Sequence, residues 1–138
     1  VIAPYLDASA IIYLVEGSAS ARDLVARSVG GAERDPAGRL LTSRLSTLEC
    51  RVKPLRAGDK ALLATYDTFF TRARLVIVEV TASVIDKATD LRARYGFKTP
   101  DALHLATAIE GKADVFVTGD AAFTRCTELR VEIVSSTP

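Results

Sequence analysis

The sequence predicts an α/β fold, a parallel sheet flanked by helices on both faces. Two observations predict it. Short apolar runs alternate with longer segments of helical spacing, and strands separated by helices imply βαβ units, hence parallel pairing. The composition is that of an ordered globular chain: 138 residues, 49% hydrophobic and 25% charged, enough to bury a substantial core. No internal repeat, low-complexity tract or linker divides the sequence, so residues 1–138 are expected to form a single domain.

The elements follow in order. Ala3–Leu6 has the apolar character of a buried strand, and Ala8–Val15 and Ser18–Val29 have helical spacing. Gly30-Gly31 and Asp35-Pro36-Ala37-Gly38 mark the loop that follows. Arg39–Thr42 reads as a short strand and Ser46–Val52 as a helix that Pro54 ends or bends. Asp59–Arg72 carries apolar residues at 62, 63, 66, 69 and 70, which is helical spacing. Leu75–Val80 is β-branched and predicted as a strand, and Ala82–Tyr95 as a helix that Gly96 closes. Thr99 is the expected N-cap, with Pro100 at the first helical position, of a helix to about Glu110. Val115–Val117, Ala121–Cys126 and Val131–Val134 complete the chain as strand, short helix and strand.

The bulk properties exclude several classes. A net charge of +1 gives no overall field toward nucleic acid, so any basic surface is local. No apolar run reaches the roughly 18 residues a membrane helix needs. Val1–Val15 is apolar, but Asp7 interrupts it without a basic lead, so no signal peptide is expected. Cys50 and Cys126 lack metal-ligand spacing, and a reduced, cytoplasmic protein is the expectation.

Four acids stand beside different apolar stretches: Asp7, Glu49, Asp101 and Asp120. Carboxylates placed next to core-forming residues cost desolvation energy, which a hard cation with oxygen ligands offsets. Asp7 and Asp120 each follow a predicted strand, and ligands of open parallel sheets bind beyond the carboxyl ends of strands. Asp101 lies in the first turn of its helix, where unpaired N–H groups and the helix dipole favour its ionised form. Glu49 sits on the rim of an apolar helix face, with a side chain long enough to reach inward. Singly, each has an ordinary alternative: Asp7 and Asp120 as helix caps, Asp101 as a helix-start residue, Glu49 as a solvated helix residue. Together they point to Mg²⁺ or Mn²⁺, because like charges ~5 Å apart repel by about 3 kcal/mol per pair at an effective dielectric of 20. A bound ion lowers the pKa of a water and neutralises charge developing on a phosphate.

At these residues the chain resembles the PIN-domain ribonucleases, most closely the VapC toxins of type II toxin–antitoxin pairs. The resemblance rests on Tyr5-Leu6-Asp7-Ala8-Ser9-Ala10-Ile11-Ile12, Ser43 to Arg51, Thr99-Pro100-Asp101-Ala102-Leu103-His104 onward to Ala108, and Val117 to Phe123, in that order over nearly the whole chain. It implies a Rossmann-like PIN sheet and an Mg²⁺- or Mn²⁺-dependent endoribonuclease. It implies Asp7, Glu49, Asp101 and Asp120 as the catalytic acids, with Asp7, Asp101 and Asp120 on the metal, and Ser9 and Thr118 as orienting hydroxyls. It implies an RNA substrate, a VapB-like antitoxin partner and a homodimer. Relatives often carry Asn where this chain has Gly119, and a glycine there is expected to loosen the turn that carries Asp120.

The remaining features have plainer readings. His104, the only histidine, is expected to pack or hydrogen-bond within the fold. Between Arg39 and Gly58 stand five basic residues and one acid, and Arg44 and Arg51 are the candidates for contact with an RNA backbone. Glu79, Asp86, Asp90 and Asp114 read as surface acids; Tyr66, Phe69 and Phe70 as packing. Two other functions compete with cleavage. One is a PIN-fold module that binds RNA or protein without cutting. The other is a phosphoryl acceptor at Asp7, which would need an acidic pair and a later lysine that the sequence does not show.

Overall fold

The structure, a computed structural model, describes residues 1–134; residues 135–138 of the expected domain lie outside the described residues. The strands are β1 (Pro4–Leu6), β2 (Leu40–Ser43), β3 (Leu75–Val78), β4 (Val115–Thr118) and β5 (Val131–Ile133). The helices are α1 (Ala8–Glu16), α2 (Ala19–Arg34), α3 (Arg44–Ala57), α4 (Lys60–Phe70), α5 (Ala82–Tyr95) and α6 (Thr99–Glu110), with a 3-10 turn at Ala121–Arg125. All strand pairs are parallel, in the order β3-β2-β1-β4-β5. No helix among the described residues is long and apolar enough to cross a membrane.

The two-residue period of a strand divides the core between the faces of the sheet. Tyr5 stands in register with Leu41 and Phe116. These three pack with Val84, Leu91 and Leu105 of α5 and α6, and with Phe97 between them. Leu6, Leu40, Val115 and Val117 point the other way, onto Ile11, Val25, Val29 and Tyr66 of α1, α2 and α4. The first face is aromatic at its centre: Tyr5 stacks on Phe116 at 5.1 Å, and Phe116 meets Phe123 at 4.7 Å.

The helix ends follow local chemistry. Asp7, Ser18, Ser43, Asp59 and Thr81 each accept a backbone N–H of the helix they precede. Gly58 and Gly96 take the left-handed conformation that closes α3 and α5. Three boundaries depart from the sequence expectation. Gly30 and Gly31 lie inside α2, because Val29 and Ala32 on either side are buried and their packing outweighs the ~1 kcal/mol per glycine of lost propensity. The chain turns instead at Gly38, where a Cβ would stand 1.8 Å from the Ala32 carbonyl. Pro54 does not end α3, which continues to Ala57 with Pro54 buried in it. Thr99 is not the cap of α6: the helix already includes it, and Lys98 precedes it with no side-chain cap bond.

β1 is central, with the chain moving outward through β2 to β3 and then returning to β4 on the other side. The order of strands therefore reverses between β1 and β4, at the carboxyl edge where Asp7, Thr118 and Asp120 emerge.

Candidate active site

Asp7 directly follows β1, and its N–H donates to the Val117 carbonyl of β4 (3.2 Å), which fixes its backbone across the reversal point. Its side chain is 4% exposed. Oδ1 accepts from the Ser9 hydroxyl (2.6 Å) and the Ala10 N–H (2.9 Å), and Oδ2 accepts from the Thr118 hydroxyl (2.5 Å). The helix cap expected of Asp7 is thus made by the same carboxyl that the two hydroxyls bond. Burial pushes the Asp7 carboxyl above its ordinary range, and the bonds from Ser9, Thr118 and Ala10 offset only part of that.

The two hydroxyls carry this arrangement across to Asp120. A hydroxyl has one proton and two lone pairs. Ser9 and Thr118 both direct their protons at Asp7, so their own 3.3 Å approach is a contact with no proton between them. Their lone pairs accept the Gly119 N–H (2.9 Å, on Ser9) and the Asp120 N–H (3.1 Å, on Thr118). Asp120 itself is exposed, with Oδ1 accepting the Ala122 N–H at 2.9 Å.

Gly119 does not loosen this turn. Its N–H is held by Ser9, and a Cβ at this position would meet Tyr13 Cε2 at 2.6 Å and the Tyr13 hydroxyl at 3.0 Å. The glycine is the space that the Tyr13 ring occupies.

Asp101 lies half-buried in the first turn of α6. Contrary to the expectation from the helix dipole, its carboxyl is pushed up, first by burial and then by the charge of Asp120, with Asp7 adding to it. Asp120 and Asp7 thus stand close enough to Asp101 to disfavour its ionisation. Glu49 of α3 does not figure among the charges that act on Asp101, and its side chain meets His104. Its Oε1 lies 2.5 Å from His104 Nε2, and His104 Nδ1 lies 2.6 Å from the Tyr5 hydroxyl. The structural role expected of His104 therefore ends on one of the candidate acids. Tyr5 escaped the sequence reading as a site residue. The available signal was its place two residues before Asp7, on the face of β1 that α6 covers.

The donor chemistry fits a hard divalent cation: carboxylate oxygens, with an acceptor position still open on Asp7 Oδ2. Among the described residues no three or more His, Cys, Asp or Glu side chains close into an ion-holding group. The basic run is largely paired. Arg44 forms a two-pronged bond with Glu79 (3.0 and 2.7 Å), Arg51 pairs with Asp67 (3.4 Å) and Lys53 with Glu16 (3.4 Å). Glu79 is thereby the partner of Arg44 and not an idle surface acid.

This sheet with acids at its reversal point defines a recognisable class: the PIN domain model matches residues 5–129, and the chain belongs to that family. Solved structures of similar fold include VapBC2 from Rickettsia felis bound to a promoter DNA fragment (18% identity, TM-score 0.78, covering 95% of this chain and 98% of that one). DNA-bound VapBC from Salmonella typhimurium is similar at 16% identity and TM-score 0.74, covering 96% and 98%. VapC20 of Mycobacterium tuberculosis, described as a sarcin–ricin loop cleaving toxin, is similar at 16% identity and TM-score 0.69, covering 88% and 92%. No curated protein matches the sequence.

Proposed function

We propose that this chain is an Mg²⁺- or Mn²⁺-dependent endoribonuclease, the toxin of a VapBC-type toxin–antitoxin pair. The observation that carries the reading is the buried Asp7, oriented by Ser9, Thr118 and the Ala10 N–H at the β1–β4 reversal point beside Asp101 and Asp120. In it Asp7, Asp101 and Asp120 hold the ion, and Glu49 acts on the water or the reacting phosphate. When bound, the ion supplies charge neutralisation at the phosphate and a more acidic water. Ser9 and Thr118 keep Asp7 in one orientation, so little reorganisation is needed when the ion and substrate arrive. Arg44 and Arg51 stand on the Glu49 helix, and exchanging Glu79 and Asp67 for RNA phosphates would turn them toward substrate.

The reading brings partners with it. Similarity to VapBC complexes supports a VapB-like antitoxin, whose Arg among the carboxylates would relieve the same repulsion as the ion. Leu48, Val52 and Leu55 are exposed on α3 beside a cavity of about 310 Å³ that Leu63 also lines, apolar surface suited to the antitoxin or to a homodimer. A cytoplasmic location belongs to the same proposal.

The test is incubation of the purified chain with structured and single-stranded RNA, with and without Mg²⁺ or Mn²⁺. Metal-dependent cleavage that disappears in Asp7→Asn and Asp101→Asn is expected; cleavage that survives either substitution overturns the assignment. The open geometry of the acids favours one second reading, a PIN-fold module that binds without cutting. Calorimetry that detects no divalent-ion binding would select it.

A further inference from the structure

One polar chain runs from the middle of the core to the site. Tyr5 is fully buried and stacked on Phe116, yet its hydroxyl lies 2.6 Å from Nδ1 of His104, itself 3% exposed. The opposite nitrogen, Nε2, lies 2.5 Å from Glu49 Oε1. No buried side-chain nitrogen or oxygen among the described residues is left without a partner, so both ring nitrogens are committed.

The direction of the protons follows from the inventory of donors. An ordinary phenol, with a pKa of about 10, carries its proton near neutral pH, and the fully buried Tyr5 hydroxyl has Nδ1 at hydrogen-bond distance to receive it. Nδ1 must then be the acceptor, which in a neutral ring leaves the hydrogen on Nε2. Glu49 can only accept. A single consistent order results: Tyr5 O–H to Nδ1, and Nε2–H to Oε1.

We infer that His104, locked by Tyr5, is a positioning residue for Glu49: it donates Nε2–H to Oε1 and leaves Oε2 directed to the cleft for the reaction. The inference rests on the proposed nuclease reading. The site needs such a device because Glu49 is the acid with the longest side chain and no backbone N–H bond, whereas Asp7 accepts one from Ala10 and Asp120 one from Ala122. Without His104 a half-buried glutamate on α3 samples several rotamers. With it, α3, α6 and β1 are tied at one point, and the carboxylate is held by two groups that are themselves packed in the core.

Two substitutions separate positioning from packing. Glutamine places an N–H where Nε2 stands, while asparagine reaches only to the place of Nδ1. His104→Asn is expected to slow single-turnover RNA cleavage about ten- to a hundredfold at saturating RNA, the scale of a misplaced catalytic group. His104→Gln should restore most of that rate, and both should bind RNA as the parent does. In a Glu49→Gln background neither should matter further. Equal rates in the two variants, or an undiminished effect of His104→Asn when Glu49 is already Gln, would overturn the inference. A second measurement needs no activity. Imidazole nitrogen NMR of the intact chain reads one histidine, since the sequence has only one. Protonation at Nε2 alone is expected, and a ring protonated at Nδ1 would reject the arrangement. Failure of the wild-type chain to cleave any RNA, with the Nε2–H form observed, would reject the nuclease reading while leaving the hydrogen-bonded chain in place.

Discussion

Replacing Thr118 with valine removes one hydroxyl and nearly nothing else in volume, and its cost can be worked from the bonds that hydroxyl makes. It donates to the buried Asp7 carboxylate at 2.5 Å and accepts the Asp120 N–H at 3.1 Å, in a side chain with no exposure. A hydrogen bond to a charged group contributes about 1.5–3 kcal/mol, and a partly buried N–H left without a partner costs about 1 kcal/mol more. Thr118→Val should therefore destabilise the fold by about 3 kcal/mol near neutral pH, lowering the melting temperature by about 10 °C for a domain of this size. Thr118→Ser retains the hydroxyl and should lose about 1 kcal/mol. Denaturant unfolding of the wild type, Thr118→Val, Asp7→Asn and the double variant closes a cycle, and its coupling should exceed about 1 kcal/mol. A Thr118→Val variant within about 0.5 kcal/mol of wild type, or two substitutions that simply add, would refute the view that this hydroxyl secures Asp7.

Other consequences can be checked on the same protein. The folded-state pKa of Asp7 is raised, so its contribution to stability is present below the unfolded value, roughly 3.9, and lost as pH rises through the folded one. Without divalent ions, Asp7→Asn should gain stability relative to wild type as pH rises above about 4; a difference that does not change with pH contradicts the burial of this carboxylate. Gly119→Asn should cost about 1–3 kcal/mol by displacing Tyr13, and pairing it with Tyr13→Ala should recover part of the loss; a neutral single variant would show that the ring moves freely. Both cysteines are free and buried, and burial pushes the Cys50 thiol up to about 12, so thiol reagents should leave Cys50 unlabelled in the native protein and react on unfolding.

The sequence carried the sheet well because its strands are short, apolar and separated by helices with good caps. Ser18, Asp59, Gly58 and Gly96 act at the helix ends through their own backbone and side-chain chemistry, which is local and therefore readable. Gly30 and Gly31 misled for the complementary reason: their propensity is local, but the burial of Val29 and Ala32 that overrides it is tertiary. Family resemblance suggested Ser9 and Thr118 as hydroxyls that orient a carboxylate, a water or a phosphate; that both bond Asp7, across 2 and 111 residues of chain, is seen only in three dimensions.

By itself the sequence determined which residues were available for chemistry: acids set beside apolar runs, in an order that specifies a PIN domain. Only the tertiary structure decided how those acids are held, because a carboxylate's pKa, orientation and partners depend on what other segments bring within a few ångströms. The ionisation of Asp101 is set by burial and Asp120, not by its helix alone, and Glu49 is governed by a histidine 55 residues away and a tyrosine beyond it. Desolvation and hydrogen bonding act through space, and along the chain these groups are strangers.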